Sequence, residues 1–495
     1  MNRFLYTRFR QAFRESLCFV LAFVGAACGN SAAGQQPHLP NAAADKSPRD
    51  RAIPRYGLEV GQEITYEGTY EFRYDDEWLK QRGSKPLLAG DGHGEKTATT
   101  IWIVGRNRDG WDAVLRAYTT PWSRRSGETH VQEPSCELMS FVVGAEGRVS
   151  TDDPGADYFR IEDYFPRLPD DGEALRDGWE SENPRLRRSY GFRRISDVEA
   201  PAGRWTFRID VRDPMDPIVL ASQSGRAVFD RERNLVALFE AEYTQRYGII
   251  GKGDQTLRLK SINRLDDAQV AGLRNNVRHL SEARRAVSDA SRRAAQATGA
   301  AEVQRVFAES SASIDAAREA VQAEEFREQI ELLAADLERD ETREAAEAEH
   351  RGKILGTPAP HWRLKDLNGR EHTLADESGW VVVLDFWYRG CGPCMRAMPQ
   401  LKELARQFAG RSVTLLGMNT DMDSDDARFV VEKLDLRFPT LLAADSALMS
   451  ACGGSGFPTL VVIDQQGTIR YVHTGYSPEL AARTAEIVEK LLRQE

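Results

Sequence analysis

Cys391-Gly392-Pro393-Cys394 stands shortly after Val381-Val382-Val383-Leu384-Asp385-Phe386-Trp387, and a helical pattern follows over residues 395–408. A continuous apolar run of this kind reads as a central parallel strand covered on both faces. The motif therefore falls at a strand-to-helix turn, with Cys391 near a helix N-terminus. Exposed amides and the positive end of the helix macrodipole favour thiolate over thiol there. A three-residue spacing at a helix start brings two sulfurs within bonding distance. Cys391 can then attack a disulfide, and Cys394 can attack the resulting mixed disulfide.

The rest of the chain is built differently. At roughly 150 residues per domain, 495 residues suggest about three domains. Lys and Arg total 66 against 76 Asp and Glu, and the net charge of −10 argues against general nucleic-acid binding. Six cysteines are too few for a disulfide-built miniprotein, and eight scattered histidines form no metal-ligand pattern. After the N-terminus no apolar run reaches the roughly 20 residues of a membrane span.

Arg3, Arg8, Arg10 and Arg14 precede an apolar run over residues 17–27, the signature of a secretory signal. The run ends Gly25-Ala26-Ala27-Cys28, which resembles the lipobox of bacterial lipoproteins, although Gly25 stands where that pattern usually has Leu. The resemblance implies a signal peptide over residues 1–28 and lipid on Cys28. Gly29 after the cysteine implies, by the same resemblance, the outer membrane. The plainer alternative is ordinary cleavage after Ala27 or Ala33. Residues 29–55, rich in Ala, Gly, Asn, Gln, Ser and Pro, read as a flexible tether.

Over residues 56–262 the period is two. Ile64, Tyr66, Tyr70, Phe72 and Tyr74 alternate with polar residues, as do Trp205, Phe207, Ile209 and Val211. Such alternation predicts half-buried antiparallel strands in a β-rich domain. Residues 154–201, rich in Pro and charge, are expected to be mostly loop. Asp170-Asp171 and the Asp213 to Asp216 stretch read as solvated turns rather than a catalytic constellation. Over residues 263–352 the period lengthens. Val270, Leu273, Val277 and Leu280 are spaced three, four and three, and Phe307, Ile314 and Val321 repeat every seven. This predicts a charged, coiled-coil-like helical spacer broken at Thr298-Gly299. It would serve as a spacer or dimer seam or, more plainly, as a solvated helix pair packing on its own chain.

Residues 353–495 resemble the thioredoxin-fold thiol-disulfide oxidoreductases of the TlpA/ResA type. Gly356-Thr357-Pro358-Ala359-Pro360 and Leu364 to Gly369 match that family's N-terminal hairpin. Asp385-Phe386-Trp387 matches its active-site strand, and Pro399 its helix-kinking proline. Gly456-Phe457-Pro458-Thr459 matches its cis-proline loop. The fold expected for the whole chain is thus multidomain: β-rich domain, helical spacer, and α/β thioredoxin-like domain.

The resemblance also assigns roles. Asp385 stands where thioredoxins bury a carboxylate, which would take the proton from Cys394. Pro458 would hold a cis peptide beside the sulfurs, leaving the backbone of Phe457 to pair with an extended substrate. Trp387, Pro393 and Pro399 would be structural. The family usually has Trp directly before the first Cys. Here Gly390 takes that place, and a bare backbone there would alter which substrates dock. Arg389 would add charge attraction for a thiolate.

Other chemistries fit less well. A zinc site needs four ligands, and only Cys452 and His473 lie downstream, so no metal is expected. A peroxiredoxin-like peroxidase would carry Thr three residues before its cysteine, where Tyr388 stands. Cys18 leaves with the signal. Cys136 and Cys452 are expected to remain separate thiols in separate domains, although pairing stays open.

The function expected is an exported thiol-disulfide oxidoreductase with no cofactor beyond its cysteine pair. The Gly-Pro dipeptide resembles reductive members of the fold, which implies a reductase. Its partners would be disulfides of cell-envelope proteins and a membrane electron donor. By resemblance alone, cytochrome c maturation is one pathway such a reductase serves. The alternative is a non-enzymatic envelope adaptor with an accessory redox domain.

Overall fold

The computed structural model of the chain describes residues 53–75, 91–153, 160–183, 188–195, 203–212, 221–245 and 250–493. The signal peptide, Cys18, Cys28, nearly all of the tether and the Asp213 to Asp216 stretch lie outside the described residues.

Alternating segments form strands β1 (Gln62–Tyr74), β2 (Gly92–Arg106), β3 (Trp111–Arg125), β4 (Glu128–Val131), β5 (Ser135–Val143) and β6 (Val149–Ser150). The series continues with β7 (Trp179–Asn183), β8 (Arg188–Ile195), β9 (Arg204–Arg212), β10 (Ala221–Asp230), β11 (Leu235–Gln245) and β12 (Gly251–Arg264). They make one sheet in the order β6-β5-β3-β2-β1-β12-β11-β10-β9-β8-β7, with β4 beside β3. The first and last strands are central neighbours, paired antiparallel from Gln62 opposite Arg264 to Tyr74 opposite Gly251.

Within the stretch 154–201, the described residues 160–183 and 188–195 hold more regular structure than its composition suggests. They include helix α1 (Gly172–Asp177) as well as β7 and β8. Ile161, Tyr164, Phe165, Leu168 and Leu175 are buried in the main apolar cluster of the sheet. Tyr164 and Thr99 share a hydrogen bond of 2.8 Å, and the Tyr56 hydroxyl donates to the Pro166 carbonyl. The strand signal is masked because charged outward residues separate a few large inward ones. Trp179 and Phe192 stack across β7 and β8 at 5.2 Å.

The helical region holds three helices, α2 (Asp267–Ala294), α3 (Ala300–Ala320) and α4 (Glu324–Ile354), where the single break at Thr298-Gly299 predicts two. The first break falls at Thr298-Gly299, with Gly299 as the N-cap of α3. The second, at residues 321–323, carries no Gly or Pro. There the side chain of Asn276 on α2 accepts the backbone N–H of Gln322 at 3.1 Å, a tertiary contact that stops the helix.

These helices pack on their own chain. Leu280, Val303, Phe307, Ile314, Phe326, Ile330 and Leu337 share one apolar cluster with Trp102, Val104, Val114 and Leu138 of the sheet. Ile101, Ile103, Ala113, Leu115 and Met139 belong instead to the other sheet cluster. Strands β2, β3 and β5 are therefore covered on both faces, which explains runs such as Ile101 to Val104 that break alternation. No described helix is long and apolar enough to cross a membrane.

Helix α4 runs directly into the C-terminal domain. Arg351, buried, donates to the carbonyls of Ala297 and Ala294 at 2.8 and 3.1 Å. Ser455 donates to Glu347 at 2.7 Å, and His350 Nε2 lies 3.0 Å from the Ser450 carbonyl. The helices thus brace the loop that leads to Pro458.

That domain opens with the hairpin β13 (Arg363–Lys365) and β14 (Glu371–Thr373). Its main strands are β15 (Val381–Trp387), β16 (Val413–Asn419), β17 (Thr440–Leu441), β18 (Thr459–Ile463) and β19 (Ile469–Thr474). They are ordered β17-β16-β15-β18-β19, with β15 parallel to β16 and antiparallel to β18. Helices α5 (Gly392–Gln407), α6 (Ser424–Leu434), α7 (Ser446–Ala451) and α8 (Leu480–Leu492) complete the domain. Residues of α5, α6 and α8 join one apolar cluster, and Met449 of α7 joins the other.

Candidate active site

The period of two along β15 decides which side chains meet the cysteine pair. Val381, Val383 and Trp387 share a cluster with Met395, Met398 and Leu401 of α5. Val382, Leu384 and Phe386 face the opposite cluster. Asp385 thus falls on the α5 face. It is fully buried, and neither of its carboxylate oxygens has a hydrogen-bond partner. Burial without a partner favours the neutral acid, and desolvation pushes its pKa up to about 8.

Cys391 is the N-cap of α5, and its Sγ accepts the backbone N–H of Cys394 at 3.1 Å. A sulfur placed there receives one of the amides that a helix start leaves without an internal partner. Pro393 lies in the first turn, where no N–H is needed, and Pro399 lies inside the helix. The two cysteines are joined in a disulfide, with Cα atoms 5.2 Å apart. Cys391 is only 2% exposed and Cys394 0%; the place of Cys391 in the turn before the helix predicts an exposed first cysteine, which is not found in the disulfide form. Tyr388 and Phe457 meet edge-to-face at 5.1 Å and pack against the same cluster as the two sulfurs.

The Phe457–Pro458 peptide is cis. Its loop is tied from both sides. Thr459 donates to the Gly456 carbonyl at 2.6 Å, and the Pro458 carbonyl accepts the Gly475 N–H at 2.8 Å. Trp387 is buried and fills space left by Gly417, where a Cβ would meet its Nε1 at 2.9 Å. Trp387 therefore packs. Gly390 is half-buried in the turn before Cys391.

The site is a dithiol pair at a helix start, beside a buried carboxyl and a cis-proline loop. The Redoxin family model matches residues 354–492. The thiol-disulfide oxidoreductase ResA of Geobacillus thermodenitrificans is 34% identical over 121 residues, covering 24% of this chain and 70% of the relative. The chain belongs to the redoxin family. The thioredoxin-like protein YneN of Bacillus subtilis is 31% identical over 127 residues, covering 24% of this chain and 71% of its own. A solved thiol:disulfide interchange protein of Chlorobium tepidum TLS, 24% identical, aligns over 28% of this chain and 97% of its own with a TM-score of 0.26. The redoxin domain gives this protein its enzyme class, thiol-disulfide oxidoreductase.

The remaining cysteines of the described residues stand apart. Cys452 lies in the cluster on the far side of the sheet from the pair, and burial pushes its thiol up to about 12. Cys136 lies on β5, its thiol raised to about 11 chiefly by burial. Neither forms a disulfide. Burial lowers His473 to about 4. Among the described residues no group of three or more His, Cys, Asp and Glu could hold a metal ion.

One group was misjudged from sequence and another missed. Arg389 does not present a lone cation to Cys391. Its guanidinium pairs with Asp426 on α6 at 2.8 Å and lies over the Phe429 ring at 4.2 Å. Asp421 was not singled out, yet its carboxylate accepts the Arg389 backbone N–H at 2.9 Å. The available signal was weak: acidic residues just past the end of a parallel strand neighbouring β15, where α/β proteins build their sites.

Proposed function

We propose that the redoxin domain of this protein reduces disulfides of other proteins in the cell envelope. Cys391 attacks the substrate disulfide and releases one substrate thiol. Cys394 then attacks Cys391 in the mixed disulfide and releases the second. Each cycle leaves Cys391 and Cys394 oxidised and the substrate reduced. A dithiol donor at the membrane must return the two electrons. No cofactor beyond the cysteine pair is required.

The observation that carries this reading is the Cys391 sulfur at the N-cap of α5, accepting the Cys394 N–H. The same amide and helix end stabilise a thiolate on Cys391 when the pair is reduced. Asp385, whose pKa burial raises to about 8, takes the proton of Cys394 in the molecules in which its carboxyl is ionised. The backbone of Phe457, ahead of cis Pro458, receives the substrate as an added strand. Gly390 leaves that side of the site without a bulky side chain.

The reductive direction is tested by equilibrating the full chain in glutathione buffers and counting alkylated thiols. A potential below about −200 mV is expected. A value near −120 mV would make the pair an oxidant.

In the same reading the chain is exported and held by lipid on Cys28 at the outer membrane. The basic segment, short apolar run and Cys28 support this. Intact-mass analysis of the exported chain should find a lipidated Cys28 as the first residue. An unmodified N-terminus at residue 28 or later would remove the anchor.

A further inference from the structure

The backbone of residues 388–391 makes a tight turn, closed by the Cys391 N–H on the Tyr388 carbonyl at 3.1 Å. Arg389 and Gly390 are its two central residues. The turn delivers Cys391 to the start of α5, so its shape fixes where that sulfur sits.

Both ends of Arg389 are held by the segment after β16. Its backbone N–H donates to Asp421 at 2.9 Å, and its guanidinium pairs with Asp426 at 2.8 Å over the Phe429 ring. Asp421 is itself oriented by the Asn419 amide at 2.7 Å. The Thr420 N–H donates to the Trp387 carbonyl at 3.0 Å, tying the two strand ends together. The Arg389 side chain is only 12% exposed and that of Asp426 23%, so solvent screens this pair only in part.

We propose that Asp426 and Asp421 are positioning residues for disulfide exchange: together they clamp the Tyr388–Cys391 turn, and Asp426 balances the Arg389 cation beside the attacking thiol. Arg389 is two residues from Cys391, so their Cα atoms are at most about 7 Å apart. An unbalanced guanidinium at that range would favour the thiolate of Cys391 and make the pair more oxidising. Paired with Asp426, it contributes little net charge, which suits a reducing dithiol. Other titratable groups on the elements that meet the turn include Tyr388 within it, Asp385 on β15, Arg396 on α5, and Asp421, Asp423 and Asp425 in the segment after β16. Arg396 is turned toward the Tyr476 ring at 5.0 Å.

The inference rests on Cys391 as the attacking thiol, as proposed above. Its test is the pH dependence of iodoacetamide alkylation of the reduced full chain, with the modified cysteine mapped by mass spectrometry. Asp426→Asn should lower the midpoint at Cys391 by about half a unit, roughly a threefold faster reaction at low pH. Arg389→Gln should raise it, because Asp426 is then unbalanced. The double variant Arg389→Gln/Asp426→Asn should return close to the wild-type midpoint. Loss of the turn alone would move both single variants in one direction and the double variant further still. That pattern, or an unmoved midpoint in Asp426→Asn, would overturn the charge balance while leaving Cys391 as nucleophile. Alkylation falling first on Cys394 in the wild-type chain would overturn both readings.

Discussion

Asp385→Asn should gain stability relative to the wild-type chain as pH rises, and should lose activity at the same time. The stability effect follows from burial. Asp385 keeps its proton in the folded protein up to about pH 8, whereas an unfolded Asp releases it near 3.9. Between these values the folded state binds one more proton than the unfolded state. Stability therefore falls with rising pH, by about 1.4 kcal/mol per unit for this one group. Asn does not titrate, so the variant lacks this slope. Between pH 5 and 8 the difference should widen in favour of Asn by about 4 kcal/mol. Urea unfolding of the oxidised protein at both pH values checks this. Parallel pH profiles for the two proteins would mean that Asp385 is not buried as an acid.

The loss of activity falls on one step. Cys394 can attack only after losing its proton, and Asp385 lies on the strand face that α5 covers. Removing the acceptor should slow release of the mixed disulfide by about a hundredfold, a usual size for lost general-base help. Formation of the mixed disulfide depends on the Cys391 thiolate and should change far less. Stopped-flow exchange separates the two. Equal slowing of both steps would assign Asp385 to packing.

The parts of this site legible in the sequence are those written in consecutive residues. The apolar run over residues 381–387, the paired cysteines and the helical pattern after them state a strand, a turn and a helix in order. The facing of Asp385 follows from a period of two and needs no coordinates. The Arg389 clamp was not legible, because it depends on β15 and β16 being neighbours with Trp387 opposite Asn419, an adjacency 32 residues apart in sequence. The break between α3 and α4 was hidden for the same reason, since Gln322 is stopped by Asn276 from another helix. Strands β7 and β8 were obscured by charge. Their outward Glu and Arg residues dominate the composition, while Trp179, Tyr190 and Phe192 carry the packing. The covering of β2, β3 and β5 by helices shows locally as the Ile101 to Val104 run, but what covers them does not.

The order in which the two thiols act carries the functional claim. Only a thiolate attacks, and the N-terminus of α5 favours the thiolate of Cys391, whose sulfur already accepts an amide N–H. Cys394 lies one turn inside the helix, and on the proposed order it closes the disulfide from within. The tethered thiol outcompetes an outside one because its effective concentration is far higher. Without it, the mixed disulfide waits for an external thiol, and covalent adducts should build up. Without Cys391, few should form at all. The direct measurement is a non-reducing gel of cells carrying Cys394→Ala or Cys391→Ala, with free thiols alkylated at harvest. Adducts abundant in Cys394→Ala, sparse in Cys391→Ala and dissolved by reductant are the expected result. Adducts equally abundant in both variants, or absent from both, would contradict it.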